Sequence, residues 1–123
     1  MEPMAYENVV DGFVAAVPEF RPFLRDHIAA NDEVLPHVLF GDLTRFVLDA
    51  YQQGHRDLVG RCLDFLEQAL HSTDARLFEL VAFSFVENVG PWDSTVGDFV
   101  STWPPLLKKE AVRQAAEEGG KAL

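Results

Sequence analysis

The residues whose spacing could do chemistry are carboxylates set beside arginines. Asp42, Arg45 and Asp49 stand at i, i+3 and i+7; Asp57, Arg61 and Asp64 stand at i, i+4 and i+7. On a helix each triplet forms one strip. Such a strip can satisfy itself through intrahelical ion pairs of roughly 0.2–0.5 kcal/mol each. Two strips lying side by side would instead present an acidic surface to a basic partner. Glu67 and His71, at i and i+4, could hold a metal, but no second ligand pair accompanies them. A histidine complementing the dipole at a helix C-terminus is the simpler reading. Glu79 and Glu87 could work as a general acid and base only if both turned inward, and an exposed strip suits them better. Cys62 has no histidine partner to activate a thiolate and sits among Leu58, Leu63 and Leu66 as a small apolar group. His27, His37, His55 and His71 are scattered, and His37 is placed to orient a turn by bonding to backbone. No G-x-S-x-G, P-loop or G-x-G-x-x-G occurs. These residues assign no catalytic group, metal or cofactor, and the chain is expected not to be an enzyme.

Trp92 is of a different kind. It follows Gly90-Pro91 and precedes Asp93, and an aromatic on a loop beside an acid is the composition of a binding anchor. It could equally fold back over the end of the preceding helix. Trp103, before Pro104-Pro105, reads as a packing lid.

The elements that must position these residues are helical. Asp74 to Val89 is the most apolar stretch: Leu77, Leu80, Val81 and Phe85 form one series and Phe78, Ala82, Val86 and Val89 a neighbouring one. With Phe83 they leave a narrow polar strip near Arg76, Glu79, Glu87 and Asn88, as expected of a central, buried helix. Asp74 or Ser72 can cap it, and Gly90-Pro91 ends it. Before it, helices are predicted over 6–16, 19–30, 38–53 and 55–71, and after it over 95–103 and 106–118. Pro18, Asn31-Asp32, Gly54 and Pro104-Pro105 mark the breaks. Apolar stripes include Phe20, Phe23, Leu24, His27 and Ile28 on the second helix. Phe40, Leu43, Phe46, Val47, Ala50 and Tyr51 make the stripe of the third. The fold class is therefore all-α: six or seven helices in a compact bundle, with HEAT-like antiparallel pairs around the buried 74–89 helix. Residues 1–118 make one domain and 119–123 a frayed tail.

Composition narrows the partners. The 123 residues carry 20 acids against 10 bases, a formal net charge of −10, and 48% are hydrophobic. Residues 1–106 hold 17 of the acids and six of the bases. This balance disfavours nucleic acid phosphates and anionic lipid and suits a basic protein. One cysteine excludes an intrachain disulfide. The acidic start, M-E-P-M-A-Y-E, lacks the basic region of a signal peptide, and no run of 18 apolar residues exists, so cytoplasmic residence is the expectation.

The stretches Leu35-Pro36-His37-Val38-Leu39-Phe40-Gly41-Asp42-Leu43 and Leu63-Asp64-Phe65-Leu66-Glu67, with Ser72, Asp74 and Glu87 of the helix that follows, resemble a small bacterial helical family of uncharacterised domains. The resemblance covers roughly residues 18–110. Such proteins are similar to the acidic immunity proteins of polymorphic toxin systems, which have HEAT-like helical cores. The resemblance implies binding and blocking of a basic toxin domain encoded nearby, and it carries over no catalytic residue. Under that expectation the partner-binding residues are Asp42, Asp49, Asp57, Asp64 and Glu67, with Trp92 and Asp93 as the loop anchor. The alternative is a helical adaptor holding a partner helix in an interhelical groove.

Overall fold

Proline and glycine set the boundaries in the computed structural model, which describes residues 4–121. Helix α1 (Val9–Ala16) stops before Pro18, and a 3₁₀ turn (Pro18–Phe20) leads into α2 (Arg21–Asn31). Asp32 closes α2 in the left-handed conformation, φ 61°. Helix α3 (Pro36–Gln52) begins two residues earlier than its periodicity suggests, because Pro36 supplies a ready-made first turn. Gly54, at φ 79°, makes the turn to α4 (Arg56–Leu70) that a residue with a Cβ would strain. Helix α5 runs from Ala75–Val81 through a π-helical stretch, Ala82–Val86, into Glu87–Val89, and ends at Gly90 with φ 75°. A 3₁₀ turn (Ser94–Val96), α6 (Gly97–Ser101) and α7 (Pro105–Lys121) complete the chain. The protein is an all-α bundle, with no strand among the described residues. Of the expected tail, Gly119–Lys121 continue α7, and Ala122 and Leu123 lie outside the described residues.

Helix α5 is the hub. It packs against α3, α4 and α7, while α4 also meets α1. From Leu80 to Val86 every residue is buried except Phe83. The wider π turn makes this possible: its i→i+5 bond, Glu87 N–H to Ala82 O, fits an extra residue onto the inward side. The loosened backbone is tied by neighbours. Thr44 Oγ1 of α3 donates to Ser84 O at 3.0 Å, Asn88 Nδ2 donates to the same oxygen at 2.9 Å, and Gln114 Nε2 of α7 donates to Ala82 O at 3.0 Å.

Asp74 caps α5 as expected, accepting from Arg76 N–H at 3.0 Å, and its second oxygen accepts from Tyr6 N–H at 2.8 Å. Ser72 Oγ donates to Met4 O at 2.7 Å, so the start of the described chain is stitched to the α4–α5 turn. The core is aromatic. Phe13 meets Phe20 and Phe65 edge-on at 5.3 Å, and Trp103 sits 5.5 Å from Phe85 and 5.4 Å from Phe99, the lid its position suggested. Several residues expected inside lie at the surface: Phe23, Ile28, Tyr51, Phe78 and Phe83 are all exposed. The 74–89 helix is therefore central but not enclosed, since its Glu79–Phe83–Glu87 line faces outward. His27, by contrast, is buried, and its Nε2 accepts from Leu35 N–H at 2.9 Å, holding the α2–α3 loop.

Candidate functional site

The two aspartate ladders reach a common surface. A groove of about 400 Å³ between α2 and α3 is lined by Phe23, Asp42, Arg45, Phe46, Asp49 and His55. A second, of about 340 Å³, is lined by Glu19, His55, Arg56, Asp57, Leu58 and Arg61. The two share His55 and Leu58, which makes them one continuous face. Its charges are largely matched. Arg45 pairs with Asp42, and Arg61 with Glu19 and with Asp57 at 3.2 Å. Chiefly the Arg61 hydrogen bond holds the Glu19 carboxyl down at about 2, and the Arg61 guanidinium is correspondingly raised. Four acids against three arginines make this face a mosaic rather than an acidic sheet. Asp64 is exposed further along α4 and lines neither groove.

Glu67 does not belong to that surface. It is 7% exposed, and its two carboxylate oxygens accept from Leu106 N–H at 3.0 Å and Leu107 N–H at 2.9 Å. It caps the first turn of α7, whose unpaired amides and positive dipole end favour a carboxylate. His71 Nε2 stands 3.8 Å from it. No group of three His, Cys, Asp or Glu side chains that could hold a metal ion occurs among the described residues.

Trp92 and Asp93 lie elsewhere. Asp93 caps the 3₁₀ turn: one oxygen accepts from Thr95 N–H at 2.9 Å and Thr95 Oγ1 at 2.8 Å, and these bonds hold its carboxyl below the usual range. Trp92 folds back over Gly90, where an added Cβ would sit 3.8 Å from its Cζ2, yet stays 44% exposed. It faces an open groove of about 340 Å³ between α5 and α7, shared with Phe83, Glu87, Arg113, Gln114 and Glu117. Phe83 is 51% exposed.

Behind this groove lies a buried polar network. Leu107, Glu110, Ala111 and Gln114 form the inward stripe of α7. Arg113 donates to both Glu110 oxygens, at 3.0 and 2.7 Å, and to Glu117 at 2.8 Å. Burial raises the Glu110 carboxyl, but the bonds from Arg113 and Gln114 outweigh it and leave it below the usual range. Gln114 Nε2 donates to Ala82 O and, at 2.8 Å, to Glu110 Oε2. Both of those partners are acceptors, so the amide orientation is fixed, and Gln114 Oε1 is left buried with no hydrogen-bond partner. Such an orphan acceptor costs roughly 1–3 kcal/mol.

Sequence reasoning did not find Phe83, Arg113 or Gln114. The signals were present: Glu79, Phe83 and Glu87 repeat at i, i+4 and i+8, and Glu110 and Gln114 share the face of Leu107 and Ala111. His37 was expected to bond to backbone; instead its Nδ1 lies 2.6 Å from Ser84 Oγ, from the first turn of α3 to the π turn. Ser84 is buried within a helix, so this pair ties elements together and presents no open nucleophile.

The model of a family described as a domain of unknown function (DUF7674) matches residues 10–117. The chain belongs to that family. No curated protein and no solved structure matches it. Among the described residues no helix is long and apolar enough to cross a membrane.

Proposed function

We propose that this chain is a non-enzymatic protein-binding module for a basic partner and that it acts as an immunity protein, covering a toxin domain encoded beside it. The observation that carries the reading is the pair of half-exposed aromatics, Phe83 and Trp92, over a groove walled by glutamates. Large aromatics flanked by charge are what a protein interface uses as anchors. The net charge of −10 favours encounter with a basic surface, with Asp49, Asp57 and Asp64 outward on α3 and α4. The toxin as partner rests on the sequence resemblance to immunity proteins.

Expressing the neighbouring gene product in a bacterial host, with and without this chain, tests the reading. Growth arrest that this chain relieves, together with co-purification, is the expected result. A harmless neighbour, or one that does not bind, overturns it. In the pair that forms, Trp92→Ala and Phe83→Ala should raise the dissociation rate at least about tenfold. Asp57→Lys with Asp64→Lys should slow association at low salt and leave folding intact.

A further inference from the structure

We propose that the groove between α5 and α7 receives the guanidinium of an arginine side chain from the protein partner. Three features converge there. Phe83 and Trp92 offer half-exposed ring surface, against which a planar guanidinium stacks. The walls carry Glu87 and Glu117, and the one base beside them, Arg113, is already shared between Glu117 and the buried Glu110, so the exposed Glu87 is left to draw a cation. Gln114, 7% exposed and lining the same groove, holds a buried carbonyl oxygen without a donor. The chain's own Arg113 does not serve it, being committed to Glu110 and Glu117.

These features also choose among cations. A quaternary ammonium would meet the rings and carboxylates but has no N–H to donate to the Glu87 carboxylate. A lysine ammonium has donors but no plane to lie on a ring. A guanidinium has both, with five N–H groups in a fixed fork. The inference depends on the proposed function only for the source of the arginine, since the groove's chemistry is independent of which protein delivers it.

The probe is N-acetyl-L-arginine amide, with N-acetyl-L-citrulline amide as its uncharged counterpart and tetramethylammonium as the cation without N–H. Each is titrated into the full chain while the Trp92 indole and Gln114 side-chain amide resonances are followed by NMR. The arginine amide should give saturable shifts at both groups with a dissociation constant of about a millimolar, a weak affinity expected of a single side chain. The citrulline amide and tetramethylammonium should bind at least about tenfold more weakly. Trp92→Ala should abolish the saturable shift at Gln114, and Glu87→Gln, an exposed change, should weaken it several-fold. Non-saturating shifts, equal binding of the citrulline amide, or binding undiminished in Trp92→Ala overturns the proposal. If the arginine amide binds but the neighbouring protein does not, the groove stands and the immunity reading falls. If the neighbour binds while the arginine amide leaves Trp92 unmoved, the groove falls alone.

Discussion

The outer face of α3 and α4 and the buried packing of α7 against α4 and α5 use the same residue types to different ends. On the first, Asp42, Asp57 and Glu19 meet Arg45 and Arg61 in water, where each long side chain loses freedom for a screened attraction. On the second, Glu67 and Glu110 are buried and bonded to backbone amides, an arginine and a glutamine. The exposed pairs can be rearranged by a partner at little cost to the fold. The buried ones fix where α7 sits, and with it the groove holding Phe83 and Trp92. Spacing reveals carboxylate–arginine ladders, but burial decides which carboxylates hold the structure.

The first way to break this comparison lies behind the α3/α4 face. Cys62 is on the same helix as Asp57 and Arg61 but points into the core, where burial pushes its thiol from the ordinary 9.0 up to about 12. The folded chain thus keeps its proton where the unfolded chain releases it. Stability from this group is complete below pH 9 and is lost as pH rises toward 12, by about 4 kcal/mol in total. Urea denaturation of wild type and Cys62→Ala at pH 8 and at pH 11 should show the wild type losing the larger share on going alkaline. Equal losses would mean that the thiol is not held in an apolar site.

Next in size, Glu67→Ala leaves the Leu106 and Leu107 amides without their acceptor and should destabilise by about 2–4 kcal/mol. Glu67→Gln keeps one acceptor oxygen and should cost about half as much. A Glu67→Ala midpoint equal to wild type would remove the distinction between the two regions.

Most of the helical framework was legible in the sequence because its punctuation is local. Gly54, Gly90, Pro18 and Asp74 each act within their own turn, and the structure uses each as its chemistry requires, whereas Pro36 opens α3 where the sequence suggests a loop. The π turn was not legible, because it depends on bonds from Thr44 and Gln114, remote in sequence from Ala82 and Ser84. For the same reason Glu67 read as a surface acid: its partners at 106 and 107 follow a proline break and are 39 and 40 residues away. Trp92 was legible as a loop aromatic beside acids. Its companion Phe83 was hidden by the habit of assigning every phenylalanine on an apolar helix to the core.

The smallest effect is the one that most sharpens the comparison. Asp49→Asn combined with Asp57→Asn removes two charges from the α3/α4 face. Asp57 is bonded to Arg61, but Arg61 keeps its Glu19 partner, with Nη1 donating to Glu19 Oε1 at 2.9 Å. The double variant should unfold within about 0.5 kcal/mol of wild type. In about 1 M salt, where the Debye length is about 3 Å, the residual difference should shrink further. A loss comparable to that of Glu67→Ala would mean that this face also holds the bundle together, and it could not then act as a surface free to exchange its ion pairs for a partner's.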